Sequence, residues 1–192
     1  MNILLCGCGA LGSNLTRLLV PDLRGAHSLT LLDDDVVEER NIIAGTQWYT
    51  PDQLDLPKVE ALQYNIYQAY QREILAQRAN IIDIDPNTYD FVIDCFDNYR
   101  ARNMVHNIKP PVIHLGFSDQ VTFEIAWDEQ YQVPSDIDTG MDICEMPGAA
   151  AFITRVAALG ALTIEHFLRT TEQRAYLGNA FTHTLVDAHN IV

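Results

Sequence analysis

The sequence predicts an α/β fold in which a parallel sheet carries helices on both faces. Apolar runs of strand length alternate with amphipathic helical segments up to residue 115, which is the pattern of successive β-α-β units. Glycines cluster after the first run, and an acidic residue ends the second, as in nucleotide-binding sheets. An alternating segment at residues 121–127 predicts antiparallel strands toward the C-terminus. The expected fold is therefore Rossmann-like, with an antiparallel extension.

The bounds of the elements follow from the spacing of apolar residues. Four apolar runs predict the parallel strands, at residues 2–6, 28–33, 91–95 and 112–115. Apolar residues at helical spacing predict helices at residues 11–20, 59–70 and 101–108. A polar, acidic stretch at 128–147 predicts a crossover loop, and the apolar segment 148–169 predicts a long buried helix. Residues 176–192 are expected to add another strand.

Length and composition fit one globular domain over residues 1–192. Apolar residues make up 48% of the chain and charged residues 20%, which is enough to bury a sizeable core. The formal net charge of −14 argues against a nucleic-acid backbone or an anionic membrane as the main partner. No apolar run is expected to reach the length of a membrane span, and the first residues do not resemble a signal peptide. A cytoplasmic location is therefore expected.

The cysteines lack the C-x-x-C spacing of zinc ligands, so no zinc is expected. They are Cys6, Cys8, Cys95 and Cys144. In a reducing compartment they remain free thiols, and the first three fall on or beside predicted strands, where they would pack in the core. The six histidines also lack metal-ligand spacing, and His114, at a strand end, is expected to be structural.

Three glycines, Gly7, Gly9 and Gly12, lie between the first predicted strand and the first predicted helix. In this context G-x-G-x-x-G permits a tight turn and a close approach of backbone to phosphate, and the helix N-terminus offers free N–H groups. Asp33 ends the second strand, where a carboxylate can accept both hydroxyls of a ribose. These residues predict a nucleotide site that suits either NAD or ATP. The alternative is a tight turn that binds no ligand.

Polar residues at the ends of later elements favour an ATP site over an NAD site. They stand in the stretches DDDVVEERN, LPKVEA and VIDCFDN, and are Asp35, Asn41, Lys58, Asp97 and Asn98. With the glycine loop, they resemble in order and nearly in spacing the motifs of the ThiF/MoeB/HesA superfamily, the ubiquitin-activating type of adenylyltransferase. The resemblance is close from residue 2 to residue 116 and looser up to residue 169.

The resemblance implies transfer of AMP from ATP to the C-terminal glycine carboxylate of a ubiquitin-like or sulfur-carrier protein ending in Gly-Gly. It implies that Asp97 holds Mg²⁺ on the phosphates and that Lys58 contacts them as a point charge. The implied nucleotide pocket, with Asp33 on the ribose, comprises Gly7, Gly9, Ala10, Gly12, Asp33, Asp35, Asn41, Lys58, Asp97 and Asn98. Each residue alone has an ordinary alternative, such as a solvated lysine or an aspartate that caps a helix.

One or two cations common in the family are missing. Ala44 stands where an arginine would contact the triphosphate, and the chain starts at the first strand, without the N-terminal helix that carries another arginine. Arg17, Arg40 and Arg102 are candidates to compensate, Arg17 in a catalytic role, because each lost phosphate contact weakens the transition state by several kcal/mol. The alternative function is a degenerate scaffold that binds nucleotide or carrier, and a third is an NAD-dependent oxidoreductase.

Cys144 lies in the predicted crossover loop, about where some family members carry a cysteine that accepts the activated carboxylate. A reactive thiol needs exposure and a lowered pKa, which the following helix N-terminus would favour and Asp142 and Glu145 would oppose. A catalytic and a packing role for Cys144 both stay open. The resemblance further implies a homodimer, and a conjugating enzyme or sulfur acceptor that receives the product.

Overall fold

The computed structural model describes residues 1–23, 25, 27–118, 120–134, 144 and 146–186. In these residues one sheet of eight strands is flanked by five α-helices. The strands are β1 (Asn2–Cys6), β2 (Ser28–Leu32), β3 (Leu75–Gln77), β4 (Phe91–Asp94), β5 (Val112–Phe117), β6 (Thr122–Trp127), β7 (Ala175–Asn179) and β8 (His183–Val186). The helices are α1 (Ala10–Leu19), α2 (Glu39–Ile43), α3 (Lys58–Tyr70), α4 (Tyr99–Val105) and α5 (Ala149–Thr170).

The strand order places the carboxyl end of β1 at a topological switch point. The order is β3-β2-β1-β4-β5-β6-β7-β8. The first five strands in this order run parallel, and β6, β7 and β8 continue the sheet in antiparallel pairs. The chain therefore builds outward from β1 in one direction and then, from β4, in the other. In open α/β sheets, ligands bind beyond the carboxyl ends of the strands at such a point.

Alternate residues of β1 face two apolar cores. Ile3 and Leu5 lie in the larger core, which α1, α3 and α5 cover. Leu4 and Cys6 lie in a smaller core beneath α4 and the 3-10 turn Ile81–Asp83. Because side chains alternate between the faces of a strand, a strand covered on both faces needs apolar residues at almost every position. This explains the unbroken apolar run from which β1 was predicted.

α5 is the core helix of the larger face, and it corrects one expectation. By length and composition alone its 22 residues could cross a membrane, so the expectation that no apolar segment reaches that length is wrong. A core helix passes the same test, and α5 packs here against α1 and the sheet. Phe167 of α5 lies 5.1 Å from the ring of Phe91 and 4.6 Å from that of Trp127, centroid to centroid.

The structure confirms the predicted mixed sheet, and most element bounds agree to within a few residues. The C-terminal segment holds two strands, β7 and β8, where one was expected. The short elements α2 and β3 were not predicted. Most of the predicted crossover loop, residues 135–143 and 145, lies outside the described residues, as do residues 187–192. Asp142 and Glu145, invoked for the environment of Cys144, fall in that part.

Candidate active site

A cleft with a volume of about 1460 Å³ opens at the switch point of the sheet. The glycine loop after β1 and the segments after β2 and β4 line one part of it. The cleft then continues past the end of β5 to residues of β6 and β7. Pockets for a single small ligand occupy roughly 300–1,000 Å³. The cleft is therefore large enough for a nucleotide together with part of a second ligand.

The three glycines of the loop meet different steric demands. Gly7 has a φ of +85°, and a Cβ there would lie 2.8 Å from the carbonyl oxygen of Cys95. A Cβ on Gly12 would lie 1.8 Å from the carbonyl oxygen of Gly7, so α1 packs directly on the loop. Gly9 lines the cleft, and a Cβ on it would meet no atom within 4 Å. Backbone and the N-terminus of α1 therefore lie open to a phosphate.

Asp33 is buried at the end of β2 and holds the glycine loop. Its Oδ2 accepts a hydrogen bond from the N–H of Cys8 at 2.6 Å, and its Oδ1 accepts one from the N–H of Asp35 at 2.9 Å. The hydroxyl of Tyr49 donates to the carbonyl oxygen of Cys8 at 2.6 Å. Burial raises the pKa of Asp33, whereas the hydrogen bond from Cys8 and the charge of Lys58 act to lower it. The carboxylate lining the cleft is thus fixed in position, as a ribose contact requires.

Lys58, the first residue of α3, lies among carboxylates in the cleft. Its Nζ is 2.7 Å from Oδ2 of Asp35, and its side chain is only 9% exposed. Burial acts to lower the pKa of Lys58, but the hydrogen bond with Asp35 and the charges of Asp33 and Asp97 outweigh it, so the pKa is raised. Lys58 therefore keeps its positive charge in the cleft.

Asp97 and Asn98, the two polar residues after β4, make different contacts. Asn98 caps α4, because its Oδ1 accepts a hydrogen bond from the N–H of Ala101 at 2.8 Å. Asp97 is not the cap and lines the cleft. Asn41 also lines the cleft, and its Oδ1 accepts a hydrogen bond from the N–H of Glu38 at 2.8 Å. The hard oxygen donor of Asp97 is of the kind that Mg²⁺ prefers.

The part of the cleft beyond β5 is largely apolar. Phe117 of β5, Phe123 of β6 and Leu177 of β7 line it, and Glu124 adds one carboxyl group. Such a surface suits the backbone and small side chains of a peptide better than the phosphates of a nucleotide.

Cys144 lines the cleft and is half-buried, unlike the other three cysteines. Cys6, Cys8 and Cys95 are buried, and burial raises the pKa of each thiol. A raised pKa keeps a thiol neutral and unreactive. Their environment agrees with the expected packing role, and none of the four cysteines forms a disulfide within the described residues.

A buried ionic network that the sequence did not predict lies in the wall of the cleft, which Arg102, Leu115 and Tyr131 line. Arg102 donates hydrogen bonds to the hydroxyl of Tyr131 at 2.6 Å and to the carbonyl oxygen of Leu115 at 3.1 Å. Oδ2 of Asp94 lies 3.4 Å from Nη1 of Arg102 and 2.7 Å from Nδ1 of His114. Asp94 and His114 are paired residues of β4 and β5, and that non-local pairing cannot be read from sequence spacing. Each buried charge has an opposite partner, as burial requires.

The cleft brings together most of the residues that the sequence singled out. They are Gly7, Gly9, Ala10, Asp33, Asp35, Asn41, Lys58, Asp97, Asn98 and Cys144. Gly12 packs beneath the loop. Arg17 is not among the residues lining the cleft, and its guanidinium carbon lies 5.6 Å from the centroid of the Trp48 ring.

Among the residues that the structure describes, three arginines line the cleft, Arg40, Arg100 and Arg102. Arg40 forms an ion pair with Glu38, and the guanidinium of Arg102 is held by the hydroxyl of Tyr131 and the carbonyl oxygen of Leu115 in the wall of the cleft. Sequence reasoning missed Arg100. Its signal was its position two residues after Asn98, in the same motif as Asp97.

Sheet order, glycine loop and buried acid together define a Rossmann-like α/β domain. The family model described as "ThiF family" matches residues 1–184, and the chain belongs to the ThiF family. Members of this family are typically ATP-dependent adenylyltransferases. No curated protein sequence matches the chain.

Solved structures share the fold at low sequence identity. MccB of E. coli, determined with ATP, has a TM-score of 0.69 and 15% identity, covering 97% of this chain and 62% of that one. MccB with AMPCPP and selenomethionine MccA gives a TM-score of 0.70 at 15% identity, with coverages of 97% and 63%. Selenomethionine PaaA has a TM-score of 0.66 and 17% identity, and the match covers 97% of this chain and 63% of PaaA. The chain thus spans less than two thirds of the length of these proteins.

Proposed function

We propose that this chain is an ATP-dependent adenylyltransferase that activates the C-terminal carboxylate of a ubiquitin-like or sulfur-carrier protein. One observation carries the proposal. The glycine loop, Lys58 and Asp97 line a single cleft. The cleft continues into its apolar part beyond β5, which we call the apolar channel. An NAD-dependent oxidoreductase needs no lysine and aspartate at the phosphates, so this combination favours ATP.

In the proposed reaction, a carboxylate oxygen of the carrier attacks the α-phosphorus of ATP. An acyl adenylate forms and pyrophosphate leaves. Bound Mg²⁺ would neutralise charge on the phosphates, and Asp97 is the residue that would hold it.

The residues of the chain serve to position the reactants and to stabilise charge. The glycine loop offers its N–H groups to phosphate, and the fixed carboxylate of Asp33 accepts the ribose hydroxyls. The ammonium of Lys58 exchanges its bond with Asp35 for a phosphate oxygen, where negative charge develops in the transition state. Arg40 and Arg100 line the same cleft and are the cations best placed to take the part of the missing arginine.

The apolar channel would receive the tail of the partner, and Cys144 is the thiol to which the activated carboxylate could pass. The thiolate would attack the acyl carbon, form a thioester and release AMP. A Gly-Gly end suits the apolar channel because it has no side chains. MccB has been determined in complex with MccA, so a short peptide is the second candidate substrate. A conjugating enzyme or a sulfur acceptor would then consume the product.

The test is ATP–pyrophosphate exchange with a candidate carrier, together with calorimetric titration of Mg-ATP and of NAD. We expect Mg-ATP to bind and NAD not to bind. Lys58→Ala and Asp97→Ala should each lower exchange by roughly 10²–10³-fold, as loss of a charge-stabilising donor does. Lys109→Ala, which removes an exposed lysine that does not line the cleft, is the matched control. Binding of NAD alone, or full exchange by Asp97→Ala, would refute the proposal.

A scaffold without catalysis is the alternative, and Ala44 at the position of the family's arginine favours it. A scaffold would bind Mg-ATP or the carrier, yet catalyse no exchange with any carrier that binds. Calorimetry and exchange on the same samples therefore separate the two functions.

A further inference from the structure

A second cluster of polar side chains lies around Asp128, immediately after β6. Nε2 of His114 is 2.7 Å from Oδ1 of Asp128, and Nδ1 of His106 is 2.9 Å from the same oxygen. The three atoms all lie within 4.8 Å of one another. Two imidazoles and one carboxylate thus converge on one point, as they do in metal sites with three protein ligands.

We propose that His106, His114 and Asp128 bind a divalent transition-metal cation, Zn²⁺ or a close chemical analogue. This site is separate from the Mg²⁺ position proposed at Asp97 and does not depend on the proposed adenylation. It also differs from the cysteine-based zinc sites whose spacing the sequence lacks.

The surroundings of His114 support a ligand role. A metal-bound histidine usually donates its other ring N–H to a carboxylate, which fixes the tautomer and the direction of the ring. Nδ1 of His114 lies 2.7 Å from Oδ2 of Asp94, so Asp94 is the carboxylate that would accept this N–H. Asp94 is itself held, because its Oδ1 accepts a hydrogen bond from the N–H of Phe96 at 2.9 Å. Nε2 of His114 is therefore aimed at Asp128.

The three ligands come from three separate parts of the fold. His106 directly follows α4, His114 lies in β5, and Asp128 directly follows β6. The ring of Tyr131 stacks on that of His114 at 3.9 Å between centroids. The side chains of His106 and Asp128 are 20% and 17% exposed, so a cation can reach them from solvent. A bound metal would tie helix, strand and loop together.

Donor chemistry selects the cation. Two imidazole nitrogens and one carboxylate oxygen suit Zn²⁺ and Co²⁺, whereas Mg²⁺ and Ca²⁺ prefer oxygen alone. With metal–ligand bonds of about 2.0–2.1 Å, tetrahedral ligands stand about 3.3 Å apart. The observed separations of 2.7 and 2.9 Å would open by well under an ångström. The cation would replace the ring protons that now point at Asp128, and water would complete its coordination.

The experiment is a titration of the chelator-treated full chain with Co²⁺, followed by visible absorption, and with Zn²⁺ in competition, both without nucleotide. We expect one equivalent to bind, with the d–d bands of a four-coordinate Co²⁺ complex. His106→Ala and Asp128→Asn should each weaken binding by roughly 100-fold or more, since even outer partners are worth about 10–100-fold.

The matched control is His166→Ala, which breaks another histidine–carboxylate pair, with Glu172 at 2.8 Å. It should bind the metal as the unchanged chain does. Asp97→Ala should also retain binding, which keeps this result separate from the nucleotide site. Circular dichroism checks that each variant folds, and His106→Gln replaces His106→Ala if that variant does not.

Absence of binding to the unchanged chain would overturn the proposal, and so would equal binding by His106→Ala and Asp128→Asn. An intense thiolate-to-Co²⁺ charge-transfer band would assign the metal to cysteine instead, and would overturn it as well.

Discussion

Two glycines of the loop, Gly7 and Gly9, should affect different properties, Gly7 the stability of the fold and Gly9 the binding of a ligand. Gly7 adopts a left-handed φ, and a Cβ on it would collide with the carbonyl group of Cys95. Gly9 has an ordinary φ of −73°, and a Cβ on it would point into open space. Gly7→Ala should therefore lower the free energy of unfolding by at least about 1–2 kcal/mol, the cost of a left-handed alanine. Urea denaturation measures this loss.

Gly9→Ala is the matched variant, and we expect the opposite pattern. Its Cβ meets no protein atom, so the free energy of unfolding should change little. The methyl group would occupy the space that a phosphate needs, so Mg-ATP affinity in calorimetry should fall. Equal nucleotide affinity in Gly9→Ala would argue against phosphate binding by this loop.

Glu124 predicts a pH dependence of stability. Burial raises its pKa above the usual value near 4.5, although the charges of Arg102 and His114 act to lower it. The neutral carboxyl group is thus favoured in the folded state. The stability that this carboxyl group contributes is complete below its unfolded-state pKa and is lost as pH rises through its folded-state pKa.

Glu124→Gln keeps the side chain neutral at every pH. It should match the unchanged chain below about pH 4 and become relatively more stable as pH rises above the usual glutamate pKa. The difference should level off above the raised pKa. Unfolding curves across this range measure it, and a difference that does not vary with pH would contradict the argument.

At the scale of elements, α5 should contribute to stability through one face only. Phe167 is 7% exposed and packs between Phe91 and Trp127, whereas Leu162 on the same helix is 67% exposed. Phe167→Ala should cost about 3–5 kcal/mol, because it leaves a cavity among aromatic rings. Leu162→Ala should cost no more than about 0.5 kcal/mol. Chemical denaturation of both variants tests the orientation of the helix, and similar losses would refute it.

The elements also show what periodicity can and cannot predict. β1 and β4 are covered on both faces, so residues 3–6 and 91–93 are apolar runs that mark most of each strand. β3 has three residues and lies at the sheet edge, and α2 has five, which is too short for either period to emerge. The β7–β8 hairpin alternates with several exposed side chains, such as Leu177 and Leu185, so its apolar signal is weak.

For the site, motifs predicted which residues gather but not how their hydrogen bonds are arranged. Asp33, Lys58 and Asp97 reach one cleft because parallel strands end at one edge of the sheet. Arg102 was a candidate for the phosphates, yet its guanidinium is committed to Tyr131 and to the carbonyl of Leu115. Those partners are set by strand register and by a turn distant in sequence. Their roles toward a ligand stay predictions until binding is measured.

At the scale of the whole molecule, we expect a homodimer in solution. Family resemblance implies it, and several large apolar side chains remain exposed on the described surface, including Ile43 at 76% and Phe181 at 93%. Light scattering coupled to size exclusion should give about twice the chain mass of 21.6 kDa. A mass that stays at one chain across micromolar concentrations would contradict this expectation.

All eight strands belong to one hydrogen-bonded sheet, which runs beneath both the glycine-loop part and the apolar part of the cleft. Enzymes that close by rotating one lobe against another use a hinge between the lobes. Along this sheet, in the described residues, no such hinge divides the two parts of the cleft. The span between them is thus set by backbone hydrogen bonds. In the proposed reaction the partner would have to cover that span itself, so an extended chain end would reach the phosphate while the folded body of the partner stays outside.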